Sequence, residues 1–228
     1  GWFARDGEIF ARVANVLFGP DKAELPETPR LLIADDMFAQ AVPEAETILR
    51  NVVQRTVPEL GEPEGSKLAR DLDALYWAFR WIQGREAWQA DGAMIERFAP
   101  PLGPGVKERF AFAKAVTDAD YARGEATRKT FRARLARLLG QDGVLILPTM
   151  PDVAPLIAAQ ETELEDFRNR ALRLLCLAGL SGFPQVTIPV AQREGAPLGL
   201  SLIGPKGSDR SLVAFAVRYE RAARIRIA

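Results

Sequence analysis

The segment GVLILPTMP at residues 143–151 is a short apolar run that ends in Pro, Thr and a second Pro. Two similar runs follow it, QVTIPVA at 185–191 and LGLSLIGP at 198–205. Short runs rich in Val, Ile and Leu and bounded by Pro or Gly are typical of buried strands. These segments therefore predict the centre of a β-sheet, and QREGAP at 192–197 predicts a hairpin loop between the last two strands.

Segments with helical periodicity surround these strands. Their apolar residues recur every three or four positions, which is the pattern of a helix with one buried face. PRLLIADD at 29–36 predicts a further strand nearer the N-terminus. Strands interleaved with helices indicate the α/β class, here a mixed β-sheet covered by helices. The predicted helices cover residues 5–18, 43–56, 66–90, 118–139, 160–178 and 209–223.

Composition excludes several classes of function. The 228 residues include 30 basic and 30 acidic side chains, so the formal net charge is zero. A balanced charge argues against a general nucleic-acid or anionic-membrane surface. No apolar run approaches the roughly 18 residues of a membrane span. With no signal peptide and no cysteine framework, we predict a cytoplasmic protein that contacts neither nucleic acid nor membrane.

The residue types present also limit the chemistry. The chain contains no His, which excludes a Ser-His-Asp triad and imidazole metal ligands. Its single Cys176 lies in the apolar run LRLLCLAGL, which predicts a buried structural thiol. Acidic pairs occur at Asp35/Asp36 and Asp71/Asp73, and a two-carboxylate hydrolase would need such groups on opposite sides of a cleft. For Asp35 and Asp36, at a strand end, turn and capping roles are the better interpretation.

Two further features have a functional and a structural interpretation. Ser66-Lys67 places a hydroxyl beside an amine, as in a Ser–Lys nucleophile pair. Adjacent helical residues do not face each other, so we predict that Ser66 instead caps the long helix. The predicted helix 118–139 carries a basic series that surrounds it, which favours a solvated helix over an anion site. That series is Arg123, Arg128, Lys129, Arg132, Arg134 and Arg137.

Strand ends are the more interesting places for a site. LPTMP puts Thr149 and Met150 at the end of a buried strand, where ligand crevices often lie. GLSGFPQVTIP at 179–189 places a bend of small residues before the next strand, which allows close approach by a backbone or a ligand. A tight packing corner explains this composition equally well.

The same segments carry a family resemblance. GVLILPTMPDVAP, GLSGFPQVTIPV and GAPLGLSLIGPKGSDRSLVAFA, in this order and spacing, resemble the C-terminal half of amidase signature hydrolases. GWFARD at the N-terminus resembles the stretch that follows the family's Gly/Ser-rich signature, and QGREA at 83–87 fits a helix between them. The resemblance implies an α/β/α sandwich around a twisted mixed sheet, of which residues 1–228 form the C-terminal portion only.

The resemblance also implies a reaction. Family members hydrolyse a carboxylic amide to an acid plus an amine or ammonia through an acyl-enzyme, using a nucleophilic Ser, a bridging Ser in a cis peptide and a Lys base. Backbone N–H groups of the signature loop hold the oxyanion. No metal, His or cofactor is required. All these groups would lie upstream of Gly1, so no catalytic residue is assigned and the chain alone is predicted to be inactive.

What remains for this chain is the wall and support of a substrate pocket. The resemblance implies pocket positions at Trp81, Thr149, Met150, Gly179 and Gln185, with core packing as the leading alternative for Trp81. Many members have Asn where this chain has Gly179. GLSGFPQVTIP with GWFARD resembles the branch that includes plant indole-3-acetamide amidases, which favours a small aryl-acetamide.

The implied partners are the missing N-terminal half and the amide substrate, and a homo-oligomer is allowed. The alternative is a non-catalytic amidase-like scaffold or docking protein.

Overall fold

A computed structural model of the chain describes residues 1–103 and 105–223. Its strands, in chain order, are Arg30–Ala34 (β1), Glu64–Ser66 (β2), Gly143–Pro148 (β3), Gln185–Arg193 (β4) and Ala196–Ile203 (β5). Its helices are Gly7–Leu17 (α1), Asp35–Phe38 (α2), Pro43–Leu60 (α3), Leu72–Phe98 (α4), Val106–Ala115 (α5), Asp118–Leu139 (α6), Glu161–Ser181 (α7) and Asp209–Ala223 (α8).

The strands form one mixed sheet in the order β2-β1-β3-β5-β4. β1 pairs in parallel with β2 and β3, whereas β5 pairs antiparallel with both β3 and β4. The three apolar runs at 143–151, 185–191 and 198–205 thus form β3, β4 and β5, which are adjacent at one side of the sheet. The predicted α/β class, with a mixed sheet covered by helices, is confirmed.

Helices cover both faces of the sheet because the central strands are apolar on both sides. Along β3, Val144 and Ile146 face one core with α1, α3 and α8. Leu145 and Leu147 face the other, which is filled by α4, α6 and α7. Since side chains alternate along a strand, the continuous run of apolar residues in β3 is what a strand between two helical layers requires.

The hairpin between β4 and β5 is tighter than the predicted loop at 192–197. Its turn consists of Glu194 and Gly195, whose φ angles are 53° and 79°. Two consecutive positive φ values are typical of a two-residue type I′ hairpin turn, which matches the twist of the flanking strands. The ladder therefore continues to the pairs Gln192 with Pro197 and Arg193 with Ala196.

The long helix α4 begins later than its sequence suggested. Ser66 is the last residue of β2, where it pairs with Ala34, so the prediction that it caps the helix is wrong. Asp71 is the N-cap instead, and its side chain accepts a hydrogen bond of 3.0 Å from the Ala74 N–H. The strand β2 escaped prediction because its three residues, EGS, have no apolar alternation.

Candidate functional site

The first acidic pair serves the backbone. The Asp36 carboxylate accepts hydrogen bonds from the N–H groups of Leu68 at 3.0 Å and Ala69 at 2.7 Å. Asp35 forms an ion pair of 3.1 Å with Arg50. Both acids follow β1 directly and hold neighbouring elements in place, as the interpretation as turn and capping groups predicts.

The other candidates for chemistry within the chain are also structural. Asp71 caps α4, and Asp73 pairs with Arg173 at 2.6 Å. Cys176 is completely buried, and burial raises the pKa of its thiol to about 12. A thiol with so high a pKa holds almost no thiolate at neutral pH, so the prediction of an inert structural cysteine is confirmed.

The basic residues of α6 mostly contact protein groups. The Arg132 Nε donates to the Ser181 carbonyl at 2.9 Å, and Arg134 donates to the Lys67 carbonyl at 3.1 Å. These contacts tie α6 to the end of α7 and to the loop before α4. Four members of the series, Arg123, Lys129, Arg132 and Arg137, are exposed, as the predicted solvated helix requires.

Three neighbouring strands bring four polar side chains together on one face of the sheet. The Ser201 hydroxyl on β5 lies 2.9 Å from the Thr149 hydroxyl and 3.0 Å from the Thr187 hydroxyl. It also accepts a hydrogen bond of 2.9 Å from the Gln185 side-chain amide. We call Thr149, Gln185, Thr187 and Ser201 the polar quartet. Two predicted site residues, Thr149 and Gln185, therefore belong to one hydrogen-bonded cluster.

The quartet does not satisfy all of its own polar atoms. The hydroxyl groups of Thr149, Thr187 and Ser201 carry three protons, but only two hydrogen bonds join these hydroxyl groups. One hydroxyl proton is therefore left without an acceptor inside the quartet. The Gln185 Oε1 is buried and has no hydrogen-bond partner among the residues that the structure describes. Buried polar atoms without partners are uncommon in folded proteins, and this oxygen is free to accept a hydrogen bond.

The two faces of β4 differ in what covers them. Val186 and Ile188 are buried in the core beneath α3 and α8. On the opposite face, Thr187 and Pro189 are exposed and Gln185 is half-buried. The quartet therefore lies at the border of the covered area, because its Thr187 is exposed whereas its Ser201 is fully buried.

Met150 follows Thr149 and lines a cavity of about 830 Å³ between α4, α5 and α7. We call this cavity the α4–α7 cleft; its lining includes Tyr76, Arg80, Leu172 and Leu175. The turn that carries Met150 is anchored, because the Thr149 N–H donates to the Gly199 carbonyl at 3.0 Å. The quartet and the cleft are thus linked through two consecutive residues.

The remaining predicted positions contact other helices. The Trp81 ring on α4 stacks on the Trp77 ring, with 5.9 Å between ring centres. The Arg123 guanidinium on α6 lies 5.6 Å from the centre of the Trp81 ring, so the Trp81 side chain faces α6. A Cβ at Gly179 would lie 2.6 Å from the Phe79 ring, so this glycine lets α7 approach α4 closely. The structure therefore groups Thr149 with Gln185, puts Met150 beside them, and gives Trp81 and Gly179 helix-packing contacts. Substrate contact by any of the five stays a prediction.

Sequence reasoning missed Thr187 and Ser201. Each is a polar residue between apolar neighbours in a strand, Thr187 in VTI and Ser201 in LSL. A polar residue inside an apolar run was the signal that could have identified them. Their meeting could not be read from the chain because it depends on the register that pairs Thr187 with Ser201.

Over residues 1–103 and 105–223, no group of three or more His, Cys, Asp or Glu side chains is placed to hold a metal ion. No helix in the same part of the chain combines the length and apolar character needed to cross a membrane.

Comparison with known proteins adds to this geometry. A family model described as Amidase matches residues 39–213. Amidase 1 of Arabidopsis thaliana is 32% identical across 93% of this chain, and the match covers 57% of that protein. The chloroplastic outer envelope protein 64 of the same organism is 30% identical across 93% of this chain and 41% of its own length.

Solved structures contain the same fold. A crystal structure of an amidase superposes with a TM-score of 0.82 at 24% identity, and the match covers 96% of this chain and 51% of that one. The chain thus spans about half the length of the relatives it matches. With the family match extending over most of its residues, the chain belongs to the Amidase family.

Proposed function

We propose that the intact protein hydrolyses a carboxylic amide, a small aryl-acetamide in the first instance, to an acid plus an amine or ammonia. The observation that carries this proposal is the family match over residues 39–213, together with 32% identity to Amidase 1 across 93% of the chain. On this proposal the protein works in the cytoplasm, and a homo-oligomer is compatible with it.

The reactive groups are proposed to lie outside these 228 residues. The chain spans 57% of the length of Amidase 1, which leaves room for a Ser-cisSer-Lys centre in the rest of the protein. Within residues 1–103 and 105–223, no serine hydroxyl is hydrogen-bonded to a lysine amine. Ser66 ends a strand, and Ser208 is buried and donates to the Pro205 carbonyl at 2.8 Å. The missing N-terminal half would then be the main partner of this chain.

The contribution of the chain itself is the shape of the pocket. The quartet ties the end of β3 to β5 and β4, which fixes the turn at Thr149 and Met150. Fixed backbone near a reacting group matters because small displacements of a bound substrate cost large factors in rate. Met150, Leu172 and Leu175 give the cleft an apolar side that suits an aryl group.

Ammonia release tests the proposal. The intact protein is incubated with phenylacetamide and indole-3-acetamide, and ammonia is measured with and without pretreatment by a serine-directed fluorophosphonate. We expect turnover of at least one amide, abolished by the reagent. Residues 1–228 alone should release none. An intact protein that hydrolyses no aryl-acetamide, or one whose turnover resists the reagent, would contradict the proposal.

A second candidate is a non-catalytic scaffold or docking protein built on the same fold. It is favoured by the match to outer envelope protein 64, which is 30% identical over the same share of the chain. The two candidates differ in the sequence that precedes residue 1 in the intact protein. A Lys followed by a Gly/Ser-rich loop supports the enzyme, and the loss of either supports the scaffold.

A further inference from the structure

Arg80 on α4 is a half-buried cation without a carboxylate partner among residues 1–103 and 105–223. Its hydrogen bond runs from Nη1 to the Tyr76 hydroxyl at 2.8 Å. Aromatic rings surround the remainder, with ring centres 4.5 Å away at Phe112, 5.6 Å at Tyr76 and 5.7 Å at Trp77. The guanidinium is therefore held by rings and one hydroxyl, and most of its five N–H donors are unused.

Arg173 also lies near the Tyr76 ring, but its charge is neutralised by an ion pair. Its guanidinium lies 5.1 Å from the Tyr76 ring, but it is paired with Asp73 at 2.6 Å. Tyr76 itself is fixed, because its hydroxyl donates to the Asn169 side chain at 2.8 Å. Of the two arginines that contact this ring, only Arg80 retains an uncompensated charge, and only Arg80 lines the α4–α7 cleft.

The other charges of the cleft lie nearer to solvent. Arg109 is exposed and lines the same cavity. The three glutamates that line the cleft, Glu108, Glu161 and Glu165, are exposed as well. Glu108 accepts a hydrogen bond from the Gly105 N–H, and Glu161 forms an ion pair with Arg168. Water and salt screen exposed charges much more than half-buried ones. Of the charged residues that line the cleft, Arg80 is the one that is half-buried, so its charge is the least screened.

We propose that Arg80 binds a carboxylate on the ligand of the α4–α7 cleft. Resting on the proposed function, this makes the preferred substrate an aryl-acetamide whose ring carries a carboxylate away from the scissile amide. A planar guanidinium with free N–H groups matches a carboxylate in two-point geometry, and flanking rings keep it oriented at little entropic cost. Leu172, Leu175 and Met150 contact the aryl portion.

Paired substrates test the proposal on the intact protein. The value of kcat/KM is measured for 4-carboxyphenylacetamide and for phenylacetamide with the wild type, Arg80→Gln, Arg80→Lys and the control Arg173→Gln. We expect the wild type to prefer the carboxylated amide. Arg80→Gln should lose about 10- to 100-fold on that substrate and less than about threefold on phenylacetamide. Arg80→Lys should fall between, and Arg173→Gln should leave the preference unchanged.

A binding measurement separates this inference from the proposed reaction. Titration calorimetry with benzoate, and with benzyl alcohol as the neutral probe, should show benzoate binding that Arg80→Gln abolishes and Arg173→Gln retains. Benzoate binding that depends on Arg80 without any amide turnover supports the inference while the proposed function fails. Turnover with equal preference for both amides, or benzoate binding unaffected by Arg80→Gln, overturns the inference alone. If Arg80→Gln does not fold, Arg80→Lys decides: an unchanged preference and unchanged benzoate affinity overturn it.

Discussion

The two faces of the sheet at β3, β5 and β4 differ in the side chains that they carry and in how far helices cover them. On one face, Ile146, Leu202 and Ile188 are packed under α3 and α8 and contribute only apolar surface. On the other, the polar quartet replaces that apolar surface just where the helical layer ends. The comparison teaches that a strand's twofold alternation lets one backbone carry a closed apolar core on one face and a hydrogen-bonded polar cluster on the other, one residue apart.

The largest expected effect lies on the apolar face. Leu200 is completely buried there, and Leu200→Ala removes three carbon atoms from a closely packed core. We expect the free energy of unfolding to fall by about 2–5 kcal/mol. Urea denaturation of the intact protein measures this loss. A change below about 1 kcal/mol would mean that this face is not the closed core described.

The next effect lies at the centre of the quartet. Ser201→Ala removes three hydrogen bonds at once and leaves the Gln185 amide without its partner, which should cost about 1–3 kcal/mol. Ser208→Ala is the matched control, because Ser208 is equally buried but its side chain donates a single hydrogen bond, to Pro205. Equal losses of stability in the two variants would show that the quartet is no more than an ordinary buried hydroxyl.

A smaller effect appears at alkaline pH, and each core contributes one group. Burial raises the pKa of Cys176 from 9.0 to about 12 and that of Tyr219 from 10.0 to about 12. At a pH between the ordinary pKa of each group and its raised pKa, the group is deprotonated in the unfolded chain and protonated in the folded chain. The free energy of unfolding therefore falls as pH rises above about 9. We expect a loss of about 1 kcal/mol per group over one pH unit.

Substitution separates the two groups. Cys176→Ala should flatten the decline above pH 9, and Tyr219→Phe should flatten it above pH 10, as followed by urea midpoints between pH 8 and 11. A decline that is the same in both variants and in the wild type would place its origin elsewhere.

The smallest effect is expected on the open face of β4. Thr187→Val preserves shape and removes one contact from an exposed position, so the free energy of unfolding should change by less than about 0.5 kcal/mol. Ile188→Ala, one residue further on the buried face, should cost about 2 kcal/mol or more. Similar losses for the two neighbours would remove the distinction between the faces.

The sequence predicted the elements that are decided by local pattern. The apolar runs of β3 and β5 are visible in a few consecutive residues, and the helical periodicity of 118–139 predicted α6 with the bounds that the structure gives it, Asp118–Leu139. The hairpin was predicted as well, although its turn is only two residues long. The strand β2 was missed because parallel pairing with β1, and not its composition, makes it a strand.

The site depends on relations that no local pattern contains. Thr187 and Ser201 meet through strand register, and the α4–α7 cleft exists only because three helices lie at a particular separation. Thr149 and Met150 were predicted because they end a buried strand, where ligand sites recur across α/β folds. Arg80 carried no signal, since an unpaired arginine is recognised only after its neighbours are placed.

The central claim is that this chain shapes a pocket while the bond-breaking groups lie in the remainder of the protein. Labelling the intact protein with a fluorophosphonate and mapping the adduct by peptide mass spectrometry tests it most directly. We predict one modified serine, located outside the 228 residues. An adduct on Ser66, Ser181, Ser201, Ser208 or Ser211 would contradict the account.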